Sequence, residues 1–267
     1  RERTILVTTE PESIKSYFKG YTSQFGHVLT SQPDWALPHP NRIYQQSGLR
    51  WFYGISSESV QNYNQLSEHL DEAEKSNLTG TVCSVKQQTH TLHDRRYRFT
   101  QQLKQLIPDL EVFGRGVREI DDKAESIAPF KYHLAIENHI AAHHWTEKLS
   151  DPFLGEALPF YVGAPNAADY FPEESFIALD INNPIASAEI IRRAIENDEY
   201  SRRKSAILEA KKRVLQQHNL FALLSNYIQN KDAYDKSGNS GLRICSRRVC
   251  IEASLISKLQ HLYQKSK

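Results

Sequence analysis

Phe130-Lys131-Tyr132-His133-Leu134-Ala135-Ile136-Glu137-Asn138, then seven residues, then Thr146-Glu147-Lys148, is the stretch on which the reading of this chain turns. Tyr132 to Ile136 is a short apolar run of the kind a parallel sheet buries on both faces. It ends in Glu137-Asn138, two polar groups at the mouth of an apolar element. A His-rich loop, His139 to Trp145, leads to Thr146, which suits the N-cap of a helix carried by Leu149, Phe153 and Leu154. In open α/β sheets ligands sit beyond the carboxyl ends of strands, and helix N-termini there favour anions. Lys148 in the first turn opposes the helix dipole. A bound phosphate would turn that liability to use, whereas Lys148 taken alone reads as a solvated helix residue.

Working outward, β-branched and aromatic runs predict strands at Thr4 to Thr9, Trp51 to Ile55, Thr81 to Val85, Leu110 to Gly114, Leu158 to Gly163 and Ser175 to Leu179. Val60, Tyr63, Leu66, Leu70 and Ala73 recur at helical spacing, predicting a helix over Ser59 to Lys75. Phe99, Leu103, Leu106 and Ile107 predict a second, and the chain reads as helical from Ser187 to about Gln229. Strands alternating with helices predict an α/β fold with a parallel sheet covered on both faces. The strongest break is Ser76-Asn77-Leu78-Thr79-Gly80, which sets expected domains at 1–79, 80–230 and 231–267, the first short or partial for an α/β domain.

The 267 residues carry a net charge of +1, with 39% hydrophobic and 24% charged residues. This is globular composition, and it argues against a nucleic-acid coat, which needs a basic excess. No apolar run is long enough to span a bilayer. The chain opens at Arg1 and enters a strand almost at once, so residues upstream are expected to be missing, an anchor or targeting segment among them. Cys83, Cys245 and Cys250 do not form a disulfide framework, and free thiols are expected. The charged helical run Ile190 to Ile228 reads as a solvated face, with contact to an anionic membrane surface as the other use of such a helix.

The central motif resembles the signature of the α1,3/α1,4-fucosyltransferase family, glycosyltransferase family 10. There a Tyr-Lys-Phe-x-Leu-x-Phe-Glu-Asn strand precedes Tyr-x-Thr-Glu-Lys at the same spacing. The similarity continues in Ala157 to Gly163 and Tyr170 to Ile177, and upstream in Val112-Phe113-Gly114-Arg115-Gly116, together about residues 81–180. The resemblance implies a GT-B-like fold, two Rossmann-type domains with the donor held mainly by the C-terminal one. It implies an enzyme that moves fucose from GDP-fucose to a glycan hydroxyl with inversion and without a metal or other cofactor.

Carried onto this chain, the resemblance puts Lys148 on the diphosphate, Glu147 on the ribose, and Glu137 with Asn138 around the donor. It expects an Arg on the phosphates at the start of the helix after the first strand of the donor domain. Arg96 is the first choice there and Arg95 the neighbour. Glu10 in Thr8-Thr9-Glu10-Pro11-Glu12-Ser13 matches the family's strand-end base, with Glu12 as fallback. One departure stands out: His144 replaces the Tyr two residues before the Thr of Thr-Glu-Lys. That keeps a second donor, such as a UDP-sugar used in polysaccharide synthesis, in play beside GDP-fucose. A non-catalytic glycan-binding or scaffold domain is the third reading. The same resemblance implies a Golgi lumen location for a eukaryotic chain with a trimmed anchor, and a cytoplasmic or peripheral-membrane one for a bacterial chain. His90, His93, His143 and His144 invite a metal reading, but adjacent histidines rarely ligate one ion together, and Asp121-Asp122 is not an Asp-x-Asp motif at a strand end.

Overall fold

The computed structural model describes residues 3–48, 50–70, 75–86, 91–229, 243–253, 258–259 and 262. In chain order the elements are β1 (Ile5–Val7), α1 (Lys19–Thr22), β2 (His27–Thr30), β3 (Arg42–Tyr44), α2 (Tyr63–Ser67), β4 (Asn77–Val82), α3 (His93–Leu106) and β5 (Glu111–Phe113). A 3-10 turn (Lys123–Ser126) precedes β6 (Phe130–Ile136), α4 (Glu147–Leu154), β7 (Leu158–Val162) and β8 (Ile177–Ala178). Then come α5 (Pro184–Glu196), α6 (Glu199–Arg202), α7 (Lys204–Gln216), α8 (Leu220–Gln229) and α9 (Arg247–Glu252). The chain divides into two compact units, Arg1–Gly48 with Leu220–Lys267, and Leu49–Asn219.

The first unit holds a three-stranded parallel sheet in the order β1-β2-β3, over a core of Leu6, Tyr17, Phe25, Val28 and Leu37. Its two chain segments are stitched by hydrogen bonds. Cys245 N–H donates to Gln24 Oε1 at 2.7 Å, Arg247 Nε donates to the Ser16 carbonyl at 3.2 Å, and Tyr227 Oη meets His27 Nδ1 at 3.0 Å.

The second unit is built on a five-stranded parallel sheet in the order β5-β4-β6-β7-β8. Strand alternation explains its two cores. Tyr132, Leu134 and Ile136 of β6, with Leu158, Phe160 and Val162 of β7, meet Phe99 and Leu103 of α3 and Ile191 of α5. Ala135 and Tyr161 point to the opposite face, where Leu149 and Phe153 of α4 pack with Val214 of α7, Trp145 and Phe171. Both faces are covered, so β6 and β7 read as continuous apolar runs rather than alternating ones. The α/β class is borne out in these two all-parallel sheets with flanking helices.

Three expectations differ. Trp51 to Ile55 is not a strand. Gly54 takes φ +74° in a turn, Tyr53 is buried in the α4 core, and Ile55 makes only an isolated antiparallel bridge to Val60. The backbone N–H groups of Phe52 and Gly54 go instead to Asp151 and Asp122 carboxylates, each at 2.9 Å. The helix expected over Ser59 to Lys75 contracts to α2, started by an Asn62–Gln65 capping box, and Ala73 lies outside the described residues. Val60 and Tyr63 of its apolar stripe are exposed, so no core face sustains a longer helix. The break at 76–80 falls inside the second unit, because Tyr53 and Leu66 pack into its core and Lys75 Nζ donates to the carbonyls of Ala128, Phe130 and Gly155 at 3.0, 3.0 and 2.8 Å. At the other end α8 belongs with the first unit. Cys83, Cys245 and Cys250 are free. No helix among the described residues is long and apolar enough to cross a membrane.

Candidate functional site

In the five-stranded sheet the chain leaves β4 in one direction, to β5, and from β6 runs in the other, through β7 to β8. The strand order therefore reverses between β4 and β6, and the crevice beyond their carboxyl ends is where open α/β sheets place ligands. Glu137 and Asn138 follow β6 at that edge. The α3 N-terminus, which follows β4, is tied to the same spot by the Leu92 N–H donating to the Asn138 carbonyl at 3.1 Å. Motif residues from two strand ends are thus brought to one place.

Glu137 is fully buried. Its Oε1 accepts the Thr146 backbone N–H at 2.8 Å and its Oε2 the Thr146 hydroxyl at 2.6 Å. One carboxylate at a strand end therefore fixes the N-cap of α4, and Thr146 Oγ1 in turn accepts from the Lys148 backbone at 3.3 Å. Gly163, after β7, closes the back of this arrangement. A Cβ there would collide with the Tyr161 hydroxyl and lie 2.6 Å from Glu137 Cγ. Burial pushes the Glu137 carboxyl up, and the Lys148 ammonium pulls it back down. Burial beside the Glu137 charge also drives the Tyr161 phenol well above its ordinary value, so Tyr161 stays neutral.

Lys148 Nζ donates to Glu147 Oε1 at 2.7 Å and to Thr146 Oγ1 at 3.3 Å, and stands 3.9 Å from Glu137 Oε2. Burial pushes the Glu147 carboxyl up, but Lys148, Lys123 and hydrogen bonds outweigh it and hold it at about 2. Lys123 lies 3.8 Å from Glu147 Oε1 and 2.8 Å from Asp151 Oδ2. A cavity of about 20 Å³, roughly the room for one water, lies against Lys123, His133, Glu147, Lys148 and Asp151. His133, fully buried, is pushed down to about 3 by burial and the Lys123 charge, and is neutral.

The three arginines of the 95–98 run separate by their partners. Arg95 bonds the Asn182 side chain and Arg98 pairs with Asp94 at 3.1 Å, both in exposed positions. Arg96 is buried, and among the described residues its Nε meets no hydrogen-bond partner, nor does the buried Oδ1 of Asn138. A donor and an acceptor left unmet beside the switch point are what a polar ligand there would satisfy. His144 is buried and packs edge-on to His139, with ring centroids 5.3 Å apart. His143, at φ +63°, meets the Tyr170 hydroxyl through Nδ1 at 2.6 Å.

Glu10 stands just after β1, in the first unit. It is exposed, and its carbonyl accepts from the buried Gln32 side-chain amide at 2.8 Å. That amide also bonds the Lys15 carbonyl at 2.9 Å, bracing the loop that carries Glu10 and the half-buried Glu12. Among the described residues no group of three His, Cys, Asp or Glu is placed to hold a metal; His90 lies outside them. A roomier cavity, about 480 Å³ between α2 and α7, is lined by His69, Lys211 and Lys212 and touches none of the motif residues.

Lys123, Asp151 and Gly163 escaped sequence reasoning. Asp151 carries the one available signal, an acid four residues beyond Glu147 and so on the same face of α4.

Residues 72–204 match the family model for glycosyltransferase family 10 (fucosyltransferase), C-terminal part. Among curated relatives, the 4-galactosyl-N-acetylglucosaminide 3-alpha-L-fucosyltransferase 9 of Bos taurus is 29% identical over 176 residues, covering 61% of this chain and 48% of the relative. Its Homo sapiens counterpart is 29% identical over 123 residues, covering 44% and 34%. The chain therefore spans at most about half the length of these relatives. Among solved structures, an alpha1,3-fucosyltransferase with GDP-fucose aligns at TM-score 0.41 and 18% identity, over 55% of this chain and 49% of the other. The pneumococcal O-GlcNAc transferase GtfA in complex with UDP and GlcNAc aligns at TM-score 0.45 and 8% identity, over 79% and 46%. The segment 72–204 carries the whole Glu137–Lys148 arrangement, and that segment belongs to glycosyltransferase family 10.

Proposed function

We propose that this chain transfers fucose from GDP-fucose to a glycan hydroxyl, with inversion at the sugar carbon and without a metal. The observation that carries the reading is the switch-point cluster, where Glu137 fixes Thr146 and thereby the first turn of α4 that bears Glu147 and Lys148. Family membership of the segment and the names of its curated relatives support fucose as the sugar. In this reading Lys148 and Arg96 stabilise the charge that grows on the leaving diphosphate. Arg95, already engaged by Asn182, is the weaker candidate. Glu147 binds the ribose, and Asn138 and His144 shape the pocket. Glu10, with Glu12 as the alternative, takes the proton of the acceptor hydroxyl. The segment from about residue 80 to the end of α7 is then the donor-binding part and the β1–β3 sheet the acceptor-side part.

A second reading keeps the site and changes the donor to another nucleotide sugar. It rests on His144, buried against His139 where the family has Tyr.

A thermal-shift panel of GDP, UDP, CDP and their sugars tests both. Stabilisation by GDP and GDP-fucose is expected. A preference for UDP selects the second reading, and silence towards every nucleotide refutes both. Transfer is expected to persist in EDTA; loss that a divalent ion restores would end the metal-free mechanism.

A further inference from the structure

Lys148 is not idle. Its ammonium is already spent on Glu147 at 2.7 Å and Thr146 at 3.3 Å. Drawing it off to a phosphate would strip a largely buried carboxylate of its nearest cation, which is costly unless another cation takes over. One is in place. Lys123 Nζ stands 3.8 Å from the same Glu147 Oε1 atom. It reaches there from a 3-10 turn fixed by the Asp122–Glu125 capping box, and its own position is set by Asp151 Oδ2 at 2.8 Å. Asp151 is buried on α4 and held in turn by the Phe52 N–H at 2.9 Å. Glu147 needs to move only about an ångström to exchange a long contact with Lys123 for a hydrogen-bonded one.

We propose that Lys123 is a positioning residue that takes over Glu147 when an anionic phosphate engages Lys148, so that the diphosphate gains a cation without leaving a buried carboxylate unpaired. This rests on the reading of Lys148 as a diphosphate ligand. The charged groups facing Glu147 are Lys148 and Asp151 on its own helix, Lys123 from the 3-10 turn and Glu137 from the end of β6. Burial opposes the charge of Lys123, but Asp151 and Glu147 more than compensate and keep it protonated.

The test removes charge without removing shape. Lys123→Ala alone would strand Asp151 and risks the fold, so Lys123→Gln with Asp151→Asn is used, a neutral pair that keeps a hydrogen bond. GDP affinity, by calorimetry, is expected to fall about tenfold in the neutral pair, and to stay near the starting value in Lys123→Arg. In a Glu147→Gln background the neutral pair is expected to cost nothing further, because no carboxylate is left to be handed over. Unchanged GDP affinity, or an equal loss in both backgrounds, overturns the proposal. A ¹³C titration of Glu147 in ligand-free protein separates this from the functional reading. Its midpoint should rise in the neutral pair whether or not any nucleotide binds, and an unmoved midpoint overturns the role of Lys123. A starting protein deaf to all nucleotides refutes the nucleotide-sugar reading instead.

Discussion

Two buried charge clusters sit at opposite ends of the same five-stranded sheet, and they are wired differently. At the amino end of β7, Glu156 has two lysines of α7 to itself. Lys211 Nζ donates to its Oε1 at 2.9 Å, and Lys204 Nζ pairs with its Oε2 at 2.9 Å. Each lysine is anchored again, Lys211 on the Glu68 carbonyl at 2.6 Å and Lys204 on the Tyr200 hydroxyl at 2.8 Å. At the carboxyl end, three acids, Glu137, Glu147 and Asp151, share two lysines. Dedicated partners hold a shape, whereas shared partners can be exchanged. Only the second arrangement can admit a charged ligand without first breaking the fold.

The largest expected effect breaks the dedicated cluster. Glu156→Gln leaves the buried Lys211 and the half-buried Lys204 without their anion and is expected to cost about 3–5 kcal/mol in chemical denaturation. Nucleotide response per folded molecule should not change. Its pH signature follows from sign. Glu156 and Glu147 are both held at about 2, so their stabilisation is complete above about 4.5 and lost as the pH falls towards 2. Glu137 and Asp151, pushed up by burial, act in the opposite sense, because acid relieves the strain of keeping them charged. Glu156→Gln should therefore shrink the stability difference between pH 5 and pH 3; a difference as large as before would show that Glu156 does not carry the acid limb.

Next in size is Gly163→Ala. Its Cβ must displace Tyr161 or Glu137, for about 1–3 kcal/mol of overpacking, and a weakened GDP response should accompany it. An unstrained variant with full binding would mean that the back wall yields. Lys148→Ala should cost about 1.5–3 kcal/mol of GDP binding, the range for a hydrogen bond to a charged group, with the fold largely intact. The smallest effect separates neighbouring arginines. Arg96→Ala should weaken GDP binding, while Arg98→Ala, which removes an exposed pair with Asp94, should stay within about 1 kcal/mol in stability and leave binding alone.

The elements that could be read from sequence are those whose residues carry their own reason. Tyr132 to Ile136 is apolar because both faces of β6 are covered, and Thr146 is an N-cap whatever surrounds it. The strands β2 and β3 were not foreseen, being three or four residues long and separated by the proline-rich stretch around Trp35. Trp51 to Ile55 looked like a strand because aromatic residues that dock on a neighbouring helix have the same composition as those that pair in a sheet. In the site, Glu137, Asn138, Arg96, Glu147 and Lys148 could be named and the structure brings them to one sheet edge. Lys123 could not, since its meaning lies in a contact across 24 residues with Glu147, and nothing local marks it. Glu10 stands at a strand end as read, in a unit of its own.

The first unit, made of two chain segments that meet where Gly48 abuts Leu220, also sets an order of birth. On the ribosome, every residue of the five-stranded sheet emerges before the second half of the β1–β3 unit exists. The segment that holds the switch-point cluster can therefore consolidate first, while β1, β2 and β3 wait for the bonds that Tyr227, Cys245 and Arg247 make to His27, Gln24 and Ser16. A chain stopped at Asn219 would be born with one unit complete and the other lacking Tyr227 and Arg247.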